Sequence, residues 1–279
     1  MIIRVIKKIF IVLLVLIIVL VGLLITLLIF KSNPSVYTSK NGDIVYTGKI
    51  NAEGYEKILN KYKNAIPDNK PKNIIIKSGG GSGLVGVLIG RFIHKHDINI
   101  KVRDYCMSTC ANFIFPAAKE KTLIDNALLV FHGGFFQENL FEKIKSLYQS
   151  GKKDQNKNNE ASVTKMTPEE SNLFKYHFPE LKPCFEKSRK TDNGIANCIT
   201  PMRSIEKEFY TALEVDPNLP YLGQRGIHEE TYKSYEYFGF YYSIKSLKEL
   251  GLKNIVTTED WDPSSHRYFS KVYIVDTLN

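Results

Sequence analysis

Ser108, in Cys106-Met107-Ser108-Thr109-Cys110, is a candidate nucleophile. His132, just before Gly133-Gly134, is a candidate base. The run Ser78-Gly79-Gly80-Gly81-Ser82-Gly83 offers backbone N–H donors. These are the parts of an acyl-transfer site. In such a site Ser108 attacks a carbonyl carbon, and His132 takes the hydroxyl proton and later gives it to the leaving group. The N–H groups of Gly80, Gly81 and Thr109 are the candidate oxyanion donors, and Gly79, Ser82 and Gly133 the candidate substrate contacts. Each piece alone has an ordinary explanation: a glycine run as a linker or turn, a serine or histidine as structural. Their weight comes from where the chain's elements place them.

Residues 43–50 alternate and are rich in β-formers, which predicts a strand. Residues 52–65 carry Tyr55, Ile58, Leu59 and Tyr62 at helical spacing. A strand at 73–77 leads into the glycine run; a helix apolar nearly all round follows at 84–94. A strand at 98–103 leads to Ser108, a small apolar helix spans 111–118, and a strand at 128–131 ends at His132. The β-α-β-α-β-α-β order with short links calls for right-handed crossovers and a largely parallel sheet. Loops at the carboxyl ends of such strands build sites, and all three pieces lie there. Beyond residue 137 the pattern turns helical and irregular. An amphipathic stretch at 138–148 and a polar stretch at 151–160 come first. Helix starts follow at Thr167-Pro168 and Thr200-Pro201. Then come a loop at 219–230, a helix at 243–250 and short strands at 254–257 and 271–275.

Residues 9–30 form an uncharged apolar run of 22. At 1.5 Å per residue it spans about 33 Å, enough for a bilayer core. It exceeds a signal-peptide core and no small-residue cleavage site follows, so it reads as an uncleaved anchor. Arg4, Lys7 and Lys8 before it favour a cytoplasmic N-terminus. The organisation is then stub and anchor at 1–31, linker at 32–42 and one domain at 43–279, with an irregular helical insertion at about 137–230. The net charge is +9, and four of the positive charges flank the anchor. The others do not alternate with aromatics, so no nucleic-acid partner is expected. Cys184 and Cys198, in a polar stretch, are disulfide candidates in an oxidising compartment. Cys106 and Cys110 read as small buried side chains lining a turn, with pairing as the alternative. His94 and His96 read as a surface pair at a helix end; neither a metal nor a cofactor is expected.

The order and motifs resemble the Clp protease proteolytic subunit within the ClpP/crotonase superfamily, and more closely the membrane-anchored or periplasmic ClpP-like proteins of bacteria. Ile44-Val45-Tyr46-Thr47-Gly48-Lys49-Ile50 resembles the family's opening strand. Lys77-Ser78-Gly79-Gly80-Gly81-Ser82 resembles its Asn-Ser-Pro-Gly-Gly-Ser loop, with Gly79 in the proline's place. Ser108 corresponds to its nucleophile, and His132 follows by a family-like 24 residues. The segment from Tyr242 to Leu252 resembles its late Met-Ser-x-x-x-Ala-x-x-x-Gly-Leu stretch. The resemblance implies an α/β fold of repeated β-α units, and a serine peptidase anchored in the bacterial inner membrane with its domain in the periplasm. It also implies a peptide or protein substrate and assembly into a homo-oligomer.

The family has an aspartate before the late segment, where this chain has Gly239. Glu236 is the nearest acid, with Asp192, Asp216, Glu229 and Glu230 further off. Three arrangements stay open: Glu236 orienting His132, a Ser-His dyad held by a backbone carbonyl, and a site without activity. The competing functions are a degenerate scaffold or binding protein and a Ser-Lys enzyme resembling signal peptide peptidase A. Its base would be Lys152, Lys153, Lys157 or Lys165. A crotonase-like acyl-CoA enzyme is a further rival, disfavoured by the anchor and the Ser/His pair.

Overall fold

Ile74 and Ile76 are buried in β3 (Asn73–Ser78) while their neighbours alternate outward. This is the period of two that sets one strand face against a core. β3 lies inside a six-stranded sheet ordered β1 (Ser35–Thr38), β2 (Ile44–Thr47), β3, β4 (Asn99–Met107), β5 (Lys121–Val130) and β7 (Ile255–Thr257). β1 pairs antiparallel to β2; every other pairing in this sheet is parallel. The fold is therefore α/β with a mostly parallel central sheet. This computed structural model describes Ile17 and residues 33–135, 167–188, 198–234 and 237–276. The expected anchor apart from Ile17, the stretches at 138–148 and 151–160, Asp192 and Glu236 lie outside the described residues. Among the described residues no helix is long and apolar enough to cross a membrane.

Parallel neighbours need crossovers, and the chain supplies three in succession. α1 (Ala52–Lys63) joins β2 to β3, starting where the Asn51 side chain accepts from the Gly54 N–H at 2.9 Å. α2 (Gly83–Lys95) joins β3 to β4 and buries eight residues, as its apolar circumference predicts. A π-helical turn, Cys110–Ile114, joins β4 to β5 where an ordinary helix at 111–118 was expected. Helices α3 (Pro168–His177), α4 (Lys182–Ser188) and α5 (Ile199–Ala212) follow, and Thr167 closes a capping box with Glu170 at the start of α3. Residues 219–230, expected as loop, contain two 3-10 turns and the start of α6 (Glu229–Ser234). Ser243 caps α7 (Ile244–Glu249). β6 (Gly239–Tyr242), not expected from sequence, pairs with β8 (Val272–Val275) in a separate parallel ribbon. An antiparallel bridge between Phe131 and Phe240 ties that ribbon to the main sheet.

Both cysteine pairs are bonded, Cys184 to Cys198 and Cys106 to Cys110. The second corrects the reading of Cys106 and Cys110 as unpaired side chains. Their Cα atoms stand 5.3 Å apart, inside the range a disulfide spans.

β4 and β5 bend at the same level. Arg103 pairs with Ile124 but Tyr105 pairs with Leu128, so the register jumps between them. Asp104 (φ 74°) and Asp125 (φ 54°) occupy the left-handed region there, as bulges often require. A strap from Thr258 to Arg267 satisfies the groups this bend exposes. Thr258 Oγ1 accepts from the Asp125 N–H (2.9 Å), the Asp262 N–H donates to Asp125 O (2.9 Å), and Trp261 Nε1 donates to Ala127 O (3.0 Å). Asp104 receives Arg267 in a two-pronged pair (3.0 and 3.1 Å), the Lys77 ammonium (2.5 Å) and His266 Nε2 (2.8 Å). The Tyr268 N–H donates to His266 Nδ1, so the buried ring carries a proton on Nε2 for Asp104. Burial alone would raise the Asp104 carboxyl, but its Arg267, Lys77 and His266 partners outweigh this and hold it well below the usual range.

Asp104→Asn is expected to destabilise the folded protein by about 2 kcal/mol at neutral pH. A folded pKa below the unfolded one gives stability that is present above about pH 4 and is lost as pH falls through the folded value. The melting-temperature gap between wild type and variant should therefore close in acid. A gap that stays constant from pH 7 to pH 2 would contradict the role given to the charge.

Candidate functional site

Ser108 follows the last residue of β4 and sits at φ 55°, left-handed although it has a side chain. Such a conformation is uncommon outside glycine, asparagine and aspartate and is held by surrounding structure. Three contacts hold it. The Ser108 N–H donates to Val130 O at 2.8 Å, and Ser108 O accepts from the Asn112 N–H at 2.8 Å. The Cys106–Cys110 disulfide closes a loop with Ser108 at its centre.

The glycine loop meets this turn atom against atom. A Cβ on Gly80 would lie 2.6 Å from Ser108 Cβ and 3.0 Å from its Oγ, and Gly80 is at φ +95°. Only glycine fits both conditions. Thr109 Oγ1 donates to Gly81 O at 2.9 Å, closing the second contact between loop and turn. On its other side the loop pairs with Ile50: the Ile50 N–H donates to Gly80 O and the Ser82 N–H to Ile50 O, both at 2.8 Å.

The candidate donors separate. The Gly80 N–H is taken by Ser78 Oγ at 3.1 Å, and that hydroxyl donates to Gly48 O at 2.7 Å. Gly80 is thus a spacer, which corrects its assignment as an oxyanion donor. The N–H groups of Gly81 and Thr109 have no acceptor among the described residues. Gly79 and Gly81 are exposed and Ser82 is half-buried. Gly133 is buried and its carbonyl accepts from Asn112 Nδ2 at 2.6 Å, so it braces the loop instead of facing a substrate.

His132 follows Phe131 at the end of the neighbouring strand, two residues past the carbonyl that Ser108 binds. Burial lowers its pKa below the ordinary histidine value, partly offset by its own backbone carbonyl. The shift favours the neutral ring, the form that can accept a proton. The backbone places Ser108 and His132 just past the ends of adjacent parallel strands. Glu236 lies outside the described residues, as do Lys152, Lys153, Lys157 and Lys165. The buried lysine among the described residues is Lys121, which begins β5 at the opposite end of that strand from His132 and donates to Ala118 O and Lys253 O. Burial brings its amine down to about 8. No group of histidine, cysteine and acidic residues among the described residues could hold a metal ion.

Sequence reasoning missed Asn112, Glu206 and the 258–267 strap. Asn112 and the strap carry no motif. Glu206 did leave a signal, a charge inside the apolar stripe of Ile205, Phe209 and Tyr210. No family model and no curated protein matches the chain.

The strained turn gives a stability test. Ser108→Gly removes the cost of a left-handed side chain and should stabilise by about 1 kcal/mol, whereas Ser108→Ala keeps it and should change stability little. Chemical denaturation of both variants checks this; equal midpoints would contradict the strain.

Proposed function

We propose that the chain is a membrane-anchored serine hydrolase of the ClpP/crotonase type that cleaves peptide bonds. The observation that carries this reading is the left-handed Ser108, with the Gly80 backbone against its Cβ and the Gly81 and Thr109 N–H groups without an acceptor among the described residues. Ser108 Oγ attacks the scissile carbonyl while His132 takes its proton. The carbonyl oxygen, now negative, is held by the Gly81 and Thr109 N–H groups. Collapse expels the amine with the proton from His132 and leaves an acyl-serine. Water, deprotonated by His132, then releases the acid and restores the hydroxyl.

A peptide suits the approach because Gly79 and Gly81 are exposed and their bare backbone lets an extended chain pair as an added strand. Two disulfides support a domain outside the reducing cytoplasm. The uncharged run at 9–30 supports a single anchor with the domain on the far side.

The test is fluorophosphonate labelling of the full-length protein in detergent, beside Ser108→Ala and His132→Ala. Labelling should vanish in the first and drop by about 1,000-fold or more in the second. A Ser-Lys enzyme would keep labelling in the histidine variant. A folded wild type without Ser108-dependent labelling would sink the hydrolase reading and leave a scaffold. The labelling rate should rise with pH through a midpoint below about 6.5, the unperturbed histidine value, because burial disfavours the charged ring. A midpoint above that value would exclude His132 as the base.

A further inference from the structure

Glu206 is the buried carboxylate among the described residues, 4% exposed on the inner face of α5. Burying a carboxyl group is costly unless it is well bonded, so its contacts indicate its use. Oε1 accepts from the Phe135 N–H at 3.2 Å, and Oε2 accepts from the Tyr221 hydroxyl. A side chain on Gly134 would collide with both Glu206 and Tyr221. The loop Glu206 grips is the one that begins with His132. The same loop is tied at two further points: Gln224 Nε2 donates to His132 O (2.9 Å) and Asn112 Nδ2 to Gly133 O (2.6 Å). Burial pushes the Glu206 carboxyl up, and the Tyr221 and Phe135 donors, with Arg203 and Arg225, offset this only in part.

We propose that Glu206 is a positioning residue for His132, fixing the base through the backbone of its loop. The proposal rests on the hydrolase reading for its purpose, but the geometry it asserts can be read without activity. Hydrogen bonding to Phe135 and Tyr221, and not charge or bulk, is the property required. Glutamine keeps one acceptor oxygen for the Phe135 N–H and can donate its amide N–H to the Tyr221 hydroxyl oxygen; leucine keeps the volume and loses both bonds.

The experiment compares full-length wild type, Glu206→Gln and Glu206→Leu by fluorophosphonate labelling of Ser108 and by the histidine Cε1–H resonance of His132. Glu206→Leu should slow labelling by about 10- to 100-fold and Glu206→Gln by less than about threefold, in line with the cost of small misplacements. The His132 resonance should move in the leucine variant and stay in the glutamine variant. Equal labelling in both variants overturns the proposal. If wild type does not label, the hydrolase reading falls and the resonance alone decides: displacement only in the leucine variant supports the positioning role, and no displacement overturns it. If the leucine variant does not fold, Tyr221→Phe takes its place. It should shift the resonance and slow labelling, and an unchanged protein overturns the proposal.

Discussion

Asp104 gathers Lys77 from the end of β3 and His266 and Arg267 from far along the chain onto one carboxyl group. That gathering holds the bend shared by β4 and β5. Four residues beyond Asp104 the chain reaches Ser108, and seven beyond Asp125 it reaches His132. Between Arg103–Ile124 and Tyr105–Leu128 the pairing shifts by two residues, so strands that ran on without the bend would set Ser108 and His132 at a different level relative to each other. The strap from Thr258 to Arg267 therefore fixes the relative level of both strand ends at once. Its partners include backbone groups that the register jump would otherwise leave unpaired, Asp125 N–H and Ala127 O.

Past the bend, contact is governed by how closely bare backbone can approach. The glycine loop reaches Ser108 because Gly80 has nothing to put in the way. The serine stays in a costly conformation because the disulfide, Val130 and Asn112 leave it little alternative. Strain and close approach are thus two sides of one design. The turn is left-handed at Ser108, and the neighbouring loop packs Gly80 against its side chain and ties Gly81 O to Thr109 Oγ1. His132 belongs to a different regime, with a half-buried ring whose pKa is lowered and a loop pinned by amide and carboxyl side chains.

Local signals carried much of this into the sequence. Ile74-Ile75-Ile76, the helical spacing of Tyr55, Ile58, Leu59 and Tyr62, and the Thr167-Pro168 start each become the expected element, since short-range patterning decides them. The sequence also placed the glycine loop, Ser108 and His132 at strand ends, and each lies at one. β6 was not legible because Gly239-Phe240-Tyr241-Tyr242 has no alternation: all four residues are buried. The first half of β5 was hidden by Asp125 and Asn126, whose turn character marks the bulge and not the strand's start. The roles of Gly80 and Gly133 turned on which partner claims a single N–H or carbonyl, and spacing carries no information about that.

The two halves of the site differ in how far the chain must travel to complete them. The turn around Ser108 is closed by residues four apart. The loop of His132 is held by side chains 71 and 92 positions downstream, and the bend by contacts spanning 162. Short loops close early and long ones late, since each long closure awaits contacts that repay its entropy. An order of assembly follows from these lengths. The disulfide-closed turn around Ser108 needs only local closure, whereas the bend beneath it and the loop of His132 wait for the segment after residue 198. The candidate site is thereby completed last, by the contacts that close the longest loops.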